Sequence, residues 1–278
     1  MKPVILVTGA LGFVGRHVIS SLLPKDCSLR LIVREGKGVE VFSMWPDAEI
    51  IETKDMFSES TSWWELQCAN VDIVLHLAWF TEVGQYLEST KNFDCLIGSL
   101  NLACAATKAG VTRFVGIGTC FEYDLTMGVV SINSPLKPTT IYATSKVALY
   151  LTLKKLLASA NIKFSWCRIF YLYGEGEDDR RLVPYLHGCL KQGIQANLST
   201  GKQIRDYMNV SDVGRMIAKL ALSEGAGTFN LCSGNPVTVR QLAENIADLY
   251  ERRDLLCFGS RPDDPDDPHC VVGIPLLP

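Results

Sequence analysis

No pair among the ten cysteines of this 278-residue chain stands as C-x-x-C; Cys27, Cys68, Cys95, Cys104, Cys120, Cys167, Cys189, Cys232, Cys257 and Cys270 are scattered singly. That spacing signals neither a zinc ribbon nor a redox dithiol, and a secreted disulfide scaffold would be smaller and denser in cysteine. His17, His76, His187 and His269 form no H-x-H or H-E-x-x-H pattern, so a metal site is not expected. No run approaches the roughly 20 apolar residues of a membrane span. The apolar run Val4 to Val7 after Met1-Lys2-Pro3 passes straight into glycines spaced for a turn, which argues against a targeting leader. Cationic excess is lacking too: 27 Lys and Arg stand against 30 Asp and Glu, a net charge of −3. No field exists to recruit nucleic acid or an anionic membrane, and an anionic ligand must be held by local charges and backbone dipoles. Internal repeats and low-complexity linkers are missing as well. With 47% hydrophobic and 21% charged residues, what remains is a globular, reduced, cytoplasmic chain able to bury a large core.

Apolar segments alternate with helical patterns. Strands are expected at Val4 to Thr8, Leu29 to Val33, Glu49 to Thr53, Val71 to Leu77, Arg113 to Ile117 and Phe164 to Phe170. Helices are expected at Phe13 to Leu23, Leu96 to Ala109 with Gly110 as C-cap, and Tyr142 to Ala158. This alternation predicts an α/β fold with a Rossmann-like, doubly wound parallel sheet, with ligands at the edge where the strands end. After Tyr173-Gly174 the texture changes: helices are expected at Leu182 to Gln192, Asp212 to Ser223 and Val239 to Tyr250, with a strand at Thr228 to Leu231. Ser260 to Pro278 is rich in Asp and Pro with little periodicity. The pattern divides the chain into a larger sheet domain, residues 1–173 plus 204–231, and a smaller interleaved lobe, 174–203 plus 232–278.

Between the first strand and first helix lies Thr8-Gly9-Ala10-Leu11-Gly12-Phe13-Val14-Gly15. Gly9, Gly12 and Gly15 suit a tight turn, close approach of backbone to a pyrophosphate, and helix-to-strand packing. Phe13, Val14 and Gly15 open the helix, whose free N–H groups and positive dipole end favour phosphate. Nineteen residues beyond Gly15, Arg34 ends the second strand. An acid there would take a ribose 2′-hydroxyl, whereas an arginine suits a 2′-phosphate, so Arg34 favours NADP; Glu35 keeps NAD open. Tyr142 and Lys146 lie at i and i+4 on one helix face, where an ammonium favours the phenolate. Thr119 ends a strand, where its hydroxyl can orient a substrate oxygen. Trp79-Phe80 and Trp63-Trp64 read as core or pocket wall.

Thr8 to Gly15, Thr119 and Tyr142 with Lys146 together resemble the extended short-chain dehydrogenase/reductase family, the NAD(P)-dependent nucleotide-sugar epimerases, dehydratases and reductases. His76-Leu77-Ala78, Arg168 to Gly174, Arg205-Asp206-Tyr207, Val210 to Val213, Asn230 to Gly234 and Arg261-Pro262 extend the resemblance nearly end to end. It implies that Tyr142 exchanges a proton with the sugar oxygen and that Lys146 binds the nicotinamide ribose and lowers the tyrosine pKa. Thr119 would share a hydrogen bond with the reacting oxygen, and Leu77 and Ala78 would line the cofactor. Arg205 and Arg261 would contact the diphosphate of a sugar nucleotide, and a homodimer would form through Leu96–Ala109 and Tyr142–Ala158, faces that internal packing also explains.

Three departures stand out. Cys120 and Phe121 occupy the positions of the Asp–Glu pair of 4,6-dehydratases, which argues against that reaction. They are expected, with Glu122, to line the substrate pocket. Cys95 stands where the family has a helix asparagine, and the chain ends at Pro278 soon after Gly273, so the substrate lobe is expected to be short. The resemblance implies an NADP-dependent reductase of a nucleotide-diphosphate 4-keto-6-deoxyhexose, of the kind used in bacterial surface-polysaccharide and lipopolysaccharide (O-antigen-like) synthesis. An NAD-retaining 4-epimerase is the alternative, and a non-catalytic cofactor-binding regulator a third reading.

Overall fold

The structure, a computed structural model, describes residues 2–276. Met1, which opens the leader-like stretch, and Leu277 and Pro278, where the short C-terminus ends, lie outside the described residues. In chain order the elements are β1 (Val4–Thr8), α1 (Phe13–Leu22), β2 (Ser28–Arg34), α2 (Gly38–Met44), β3 (Glu49–Thr53), α3 (Thr61–Gln67) and β4 (Ile73–His76). There follow α4 (Lys91–Ala109), β5 (Arg113–Thr119), β6 (Val129–Val130), α5 (Ile141–Ser159), β7 (Lys163–Ile169), β8 (Tyr171–Tyr173) and α6 (Leu182–Gln192). The chain closes with β9 (Ala196–Leu198), β10 (Ile204–Asn209), α7 (Val210–Ala221), β11 (Gly227–Leu231), β12 (Pro236–Thr238), α8 (Val239–Asp248), β13 (Leu256–Phe258) and β14 (Cys270–Gly273).

Seven strands form one parallel sheet in the order β11-β7-β5-β4-β1-β2-β3. It is the expected Rossmann-like arrangement, and its strand order reverses between β1 and β4, where a crevice opens beyond the strand ends. Alternating residues feed opposite faces. Ile5, Val7, Leu31 and Leu75 pack with Val18, Ile19 and Leu22 of α1 and Val213 and Ile217 of α7. Leu6, Ile32, Val74 and Phe114 pack with Trp64 of α3, Leu102 of α4 and Leu149 and Leu153 of α5. Burial on both faces explains why these strands read as continuous apolar runs. A third cluster joins Leu186 and Leu190 of α6 to Ala243 and Ala247 of α8, with Ala196, Leu198 and Leu255.

The structure departs from the sequence reading at element ends. The helix expected at Leu96 begins at Lys91, so Cys95 lies inside it. The strand expected at Val71 begins at Ile73. The helix expected at Asp212 starts at Val210, because the Asn209 side chain accepts the Ser211 N–H and caps it. The irregular end contains β14, which pairs in parallel with β10 and β6 and buries Val271 and Val272. Helices α2 and α3, one turn or two long, escaped the periodicity. No described helix is long and apolar enough to cross a membrane.

Candidate active site

The β1–α1 turn is built by exclusion of side chains. Gly9 holds φ +75°, and a Cβ on it would meet the backbone nitrogen of Ala78 at 2.7 Å. Gly12 donates its N–H to the Gly9 carbonyl at 3.0 Å and serves as the N-cap of α1, with no side-chain cap. A Cβ on Gly15 would collide with the Gly9 carbonyl, so Gly15 lets the helix pack onto the turn. Phe13, Val14 and Gly15 therefore present a helix N-terminus toward the crevice, with the Leu77–Ala78 backbone against Gly9. This donor set fits a dinucleotide pyrophosphate.

Beneath the turn runs a chain of hydrogen bonds that sequence reasoning did not reach. The Ala78 N–H donates to Thr8 Oγ1 at 3.3 Å, Thr8 pairs with His76 Nδ1 at 2.8 Å, and His76 Nε2 pairs with Ser99 Oγ at 2.7 Å. Ser99 donates to the Cys95 carbonyl at 2.6 Å. Since the Ser99 hydrogen is committed, Nε2 of His76 carries the ring proton and Nδ1 accepts from Thr8. Burial, with Lys146 as a smaller cause, holds the His76 pKa down at about 3, so the ring is neutral. The parallel register Thr8↔His76 places these two side chains together. Cys95, in the place of an asparagine, accepts the Phe80 N–H on its sulfur at 3.4 Å.

Thr119, Tyr142 and Lys146 come together as expected, all buried. Thr119 ends β5 and caps a single 3-10 turn, Cys120–Glu122, its Oγ1 accepting the Phe121 N–H at 3.3 Å. Its own hydroxyl hydrogen then remains to favour the Tyr142 phenolate. Thr140 caps α5 by accepting the Ala143 N–H, which fixes the first turn carrying Tyr142. The Lys146 ammonium donates to the Ile117 carbonyl at 2.8 Å and stands 3.8 Å from the centre of the Trp79 ring. Burial, then the neighbouring Tyr86, drives the Tyr142 pKa well above its usual value, against a hydrogen bond with Thr119 that favours the phenolate. Burial pulls the Lys146 pKa down to about 7, against Glu122 and Cys95, which raise it.

The roof over Tyr142 is aromatic and was not anticipated beyond Trp79 as a wall. Tyr86 meets the Tyr142 ring edge-on at 4.9 Å, and Trp79 does so at 6.4 Å. Trp79 is locked by donating to Asn92 Oδ1 at 2.7 Å, while Asn92 donates to the carbonyls of Tyr86 and Ser89. The Arg181 guanidinium lies 5.6 Å above the Tyr86 ring. Trp79, Tyr86 and Arg181 sit on loops, where no periodicity announces them.

The expected substrate residues divide. Phe121 packs edge-on against Tyr171. Cys120 is buried with Tyr123, Val130, Phe170, Cys232 and Val271, and burial pushes its thiol up to about 12. Glu122 requires correction: it lines no open pocket but is fully buried, accepting from Thr119 N at 2.9 Å, Trp166 Nε1 at 3.0 Å and Arg168 Nε at 2.6 Å. Arg205 is 3% exposed, lies over the Tyr171 ring and donates to Asp267 at 2.5 Å. Arg261 is exposed and rests over Tyr185 of α6, a different set of partners. Arg34 ends β2 and is exposed.

Comparison with known proteins agrees with this geometry. A model of the NAD dependent epimerase/dehydratase family matches residues 5–232. Among curated relatives, the dTDP-6-deoxy-L-talose 4-dehydrogenase (NAD(+)) of Aggregatibacter actinomycetemcomitans is 25% identical over 247 residues, 87% of this chain and 88% of that protein. The GDP-6-deoxy-D-talose 4-dehydrogenase of the same organism is 26% identical over 255 residues, 88% of this chain and 79% of that one. Among solved structures, the UDP-glucose 4-epimerase of Thermotoga maritima with UDP-glucose superposes with a TM-score of 0.85 at 22% identity, covering 98% of this chain and 90% of that one.

Proposed function

Because the chain belongs to the NAD dependent epimerase/dehydratase family, we propose that it reduces the 4-keto group of a nucleotide-diphosphate 4-keto-6-deoxyhexose with NADPH, giving a 4-hydroxy sugar of the kind used in surface-polysaccharide assembly. The observation that carries this reading is the chemistry beside Thr119. Cys120 is a buried thiol with a raised pKa, Phe121 is apolar, and Glu122 is spent on Arg168, so the acid–base pair that an elimination of water needs is missing there. Two curated relatives, both named as 4-dehydrogenases of 6-deoxytalose nucleotides, support chemistry at the sugar C4.

The dinucleotide would lie on Gly9, Gly12 and the α1 N-terminus, with Leu77 and Ala78 beside it, and would supply the hydride. Tyr142 holds its proton firmly, because burial disfavours the phenolate. It is therefore the protonated phenol, the form from which a proton can pass to a carbonyl oxygen becoming an alcohol. Thr119, its position set by the Phe121 N–H, can donate to the same oxygen. Lys146 is held between Ile117 and Trp79 on the side where the ribose would bind. Arg205 and Arg261 would meet the diphosphate. Arg34 would meet a 2′-phosphate. A second copy is proposed against α4 and α5, whose Phe93, Ile97 and Leu151 are exposed.

The test is to offer the purified protein NADPH and NADH with a panel of nucleotide 4-ketosugars and to follow nicotinamide absorbance. Oxidation of NADPH dependent on a ketosugar, abolished in Tyr142→Phe while cofactor binding persists, is the expected result. Interconversion of 4-hydroxy epimers with retained NAD, and no net absorbance change, would replace this reading with a 4-epimerase. Cofactor binding without turnover, and biological activity unaltered in Tyr142→Phe, would point to a regulator.

A further inference from the structure

We infer that Glu122 is a positioning residue: by tying the Thr119 turn to Trp166 and Arg168 of β7, its buried carboxylate aims the Thr119 hydroxyl and sets the charge around Lys146. This rests on the function proposed above. The turn after β5 is only three residues long, and Glu122 closes it by accepting the Thr119 N–H while Thr119 accepts the Phe121 N–H. The carboxylate then accepts from Trp166 Nε1, at 3.0 and 3.1 Å to its two oxygens, and from Arg168 Nε at 2.6 Å. Arg168 continues to Tyr123 Oη at 3.0 Å, and Tyr123 donates to Asn230 Oδ1 at 2.7 Å, so the tie spans β5, β7 and β11.

Two glycines make room for it. A Cβ on Gly118 would collide with the Glu122 carboxylate and the Trp166 indole, and one on Gly116 would meet Trp166 at 2.7 Å. A strand interior with glycines at alternate positions is otherwise weakened, so their presence beneath the site fits a requirement for this carboxylate. An isolated buried ion pair adds little to stability against an apolar replacement, which makes a positional role the more economical account of a charge in this place.

The same carboxylate is the largest charge favouring the Lys146 ammonium and also disfavours the Tyr142 phenolate. The groups that face these charges are Cys120, Tyr123 and Arg168 around Glu122, and His76 of β4 and Cys95 of α4 around Lys146. Removing the negative charge therefore lowers the pKa of both Lys146 and Tyr142.

The test uses two variants that separate reach from charge. Glu122→Asp keeps the charge and loses the reach to Thr119; its kcat is expected to fall on the order of tenfold, with the limbs of the pH profile unmoved and the cofactor KM unchanged. Glu122→Gln keeps an acceptor for Thr119 N–H and loses the charge; the limbs are expected to move to lower pH by about one unit. Wild-type kcat and pH limbs in both variants, with only the melting temperature lowered, would overturn the inference. If either variant does not fold, Trp166→Phe removes one donor while the ion pair stays; an unchanged kcat there would count against the positioning role. A readout independent of turnover separates this inference from the proposed reaction. The Lys146 Cε resonance, assigned by its loss in Lys146→Arg, is titrated by NMR in wild type and Glu122→Gln. An acidward midpoint in the variant is expected, and coincident curves would refute the charge role even where no ketosugar is turned over.

Discussion

The ammonium of Lys146 is bonded to the carbonyl of Ile117, 2.8 Å away, while the ring centre of Tyr142, four residues earlier on the same helix face, lies 6.0 Å from it. Spacing on a helix brings two residues to one face but does not decide what their ends touch. Here β5 offers a carbonyl and the loop after β4 offers the Trp79 ring, and the ammonium takes both. The lysine is thus a buried cation with its own anchorage, and the tyrosine a buried acid roofed by Tyr86.

That anchorage predicts a stability signature. Folding brings the Lys146 pKa from 10.5 down to about 7. Between those values the unfolded chain holds one more proton than the folded chain, so stability rises with pH across that window. In Lys146→Met the rise disappears. Denaturant melts of both proteins from pH 6 to 10.5 are expected to show the variant ahead below pH 7 and its advantage shrinking at higher pH, with a ceiling of roughly 4–5 kcal/mol. Parallel curves would contradict the burial of a titrating amine.

Gly9→Ala tests the turn that would carry the pyrophosphate. The new methyl must occupy φ +75° and displace the Ala78 backbone, 2.7 Å from its ideal position. Strain of this kind costs about 1–3 kcal/mol, and the displaced Ala78 lies on the crevice. Cofactor affinity by titration calorimetry is expected to fall more steeply than the melting temperature, because Ala78 also donates to Thr8 and starts the chain that ends at Ser99. An unchanged cofactor Kd would separate this turn from dinucleotide binding.

The sheet was legible because its central strands are buried on both faces and helices such as α6 have an apolar face, so Val4–Thr8 and Leu182–Gln192 read correctly from residue types alone. The glycine turn and the Thr119, Tyr142 and Lys146 trio were legible because each needs a fixed residue type at a fixed spacing. Glu122 was misread for a physical reason. A charged residue after a site residue suggests a pocket lining, and only the placement of Arg168 and Trp166 on the next strand shows it to be internally neutralised. Tyr86 and Arg181 escaped altogether, since their meeting over Tyr142 depends on two loops separated by almost a hundred residues. β14 was lost because its four residues follow an Asp- and Pro-rich stretch and form a strand by pairing with the distant β10 and β6.

Arg34→Ala tests the choice of dinucleotide. The loop after β2 is held through its backbone, with the Lys37 N–H on the Arg34 carbonyl and the Gly36 and Gly38 N–H groups on the Glu52 carboxylate. The exposed Arg34 side chain is therefore removable without disturbing the turn. A charge-assisted hydrogen bond to phosphate is worth about 1.5–3 kcal/mol, so kcat/KM for NADPH is expected to fall about ten- to hundredfold, with NADH little affected. Equal losses with both cofactors would assign Arg34 to something other than a 2′-phosphate.

Asp267 occupies Arg205, the arginine proposed to meet the diphosphate. Arg205 is buried, with Nη2 on Asp267 at 2.5 Å and Nη1 on the Ile204 carbonyl at 2.9 Å, so a nucleotide must replace or share the carboxylate. The neighbouring Asp263 holds Thr200 through its backbone N–H at 2.9 Å and its hydroxyl, which keeps this segment in place when the single contact at Asp267 is altered. Asp267→Asn removes a like charge competing with the incoming anion and leaves Arg205 a neutral partner. Nucleoside diphosphate affinity, measured by calorimetry at low and at high salt, is expected to tighten severalfold, with the gain largest at low salt where charge repulsion is least screened. Arg205→Gln is expected to weaken binding in either background. Weaker binding in Asp267→Asn would mean that the carboxylate aligns the guanidinium for the ligand rather than competing with it.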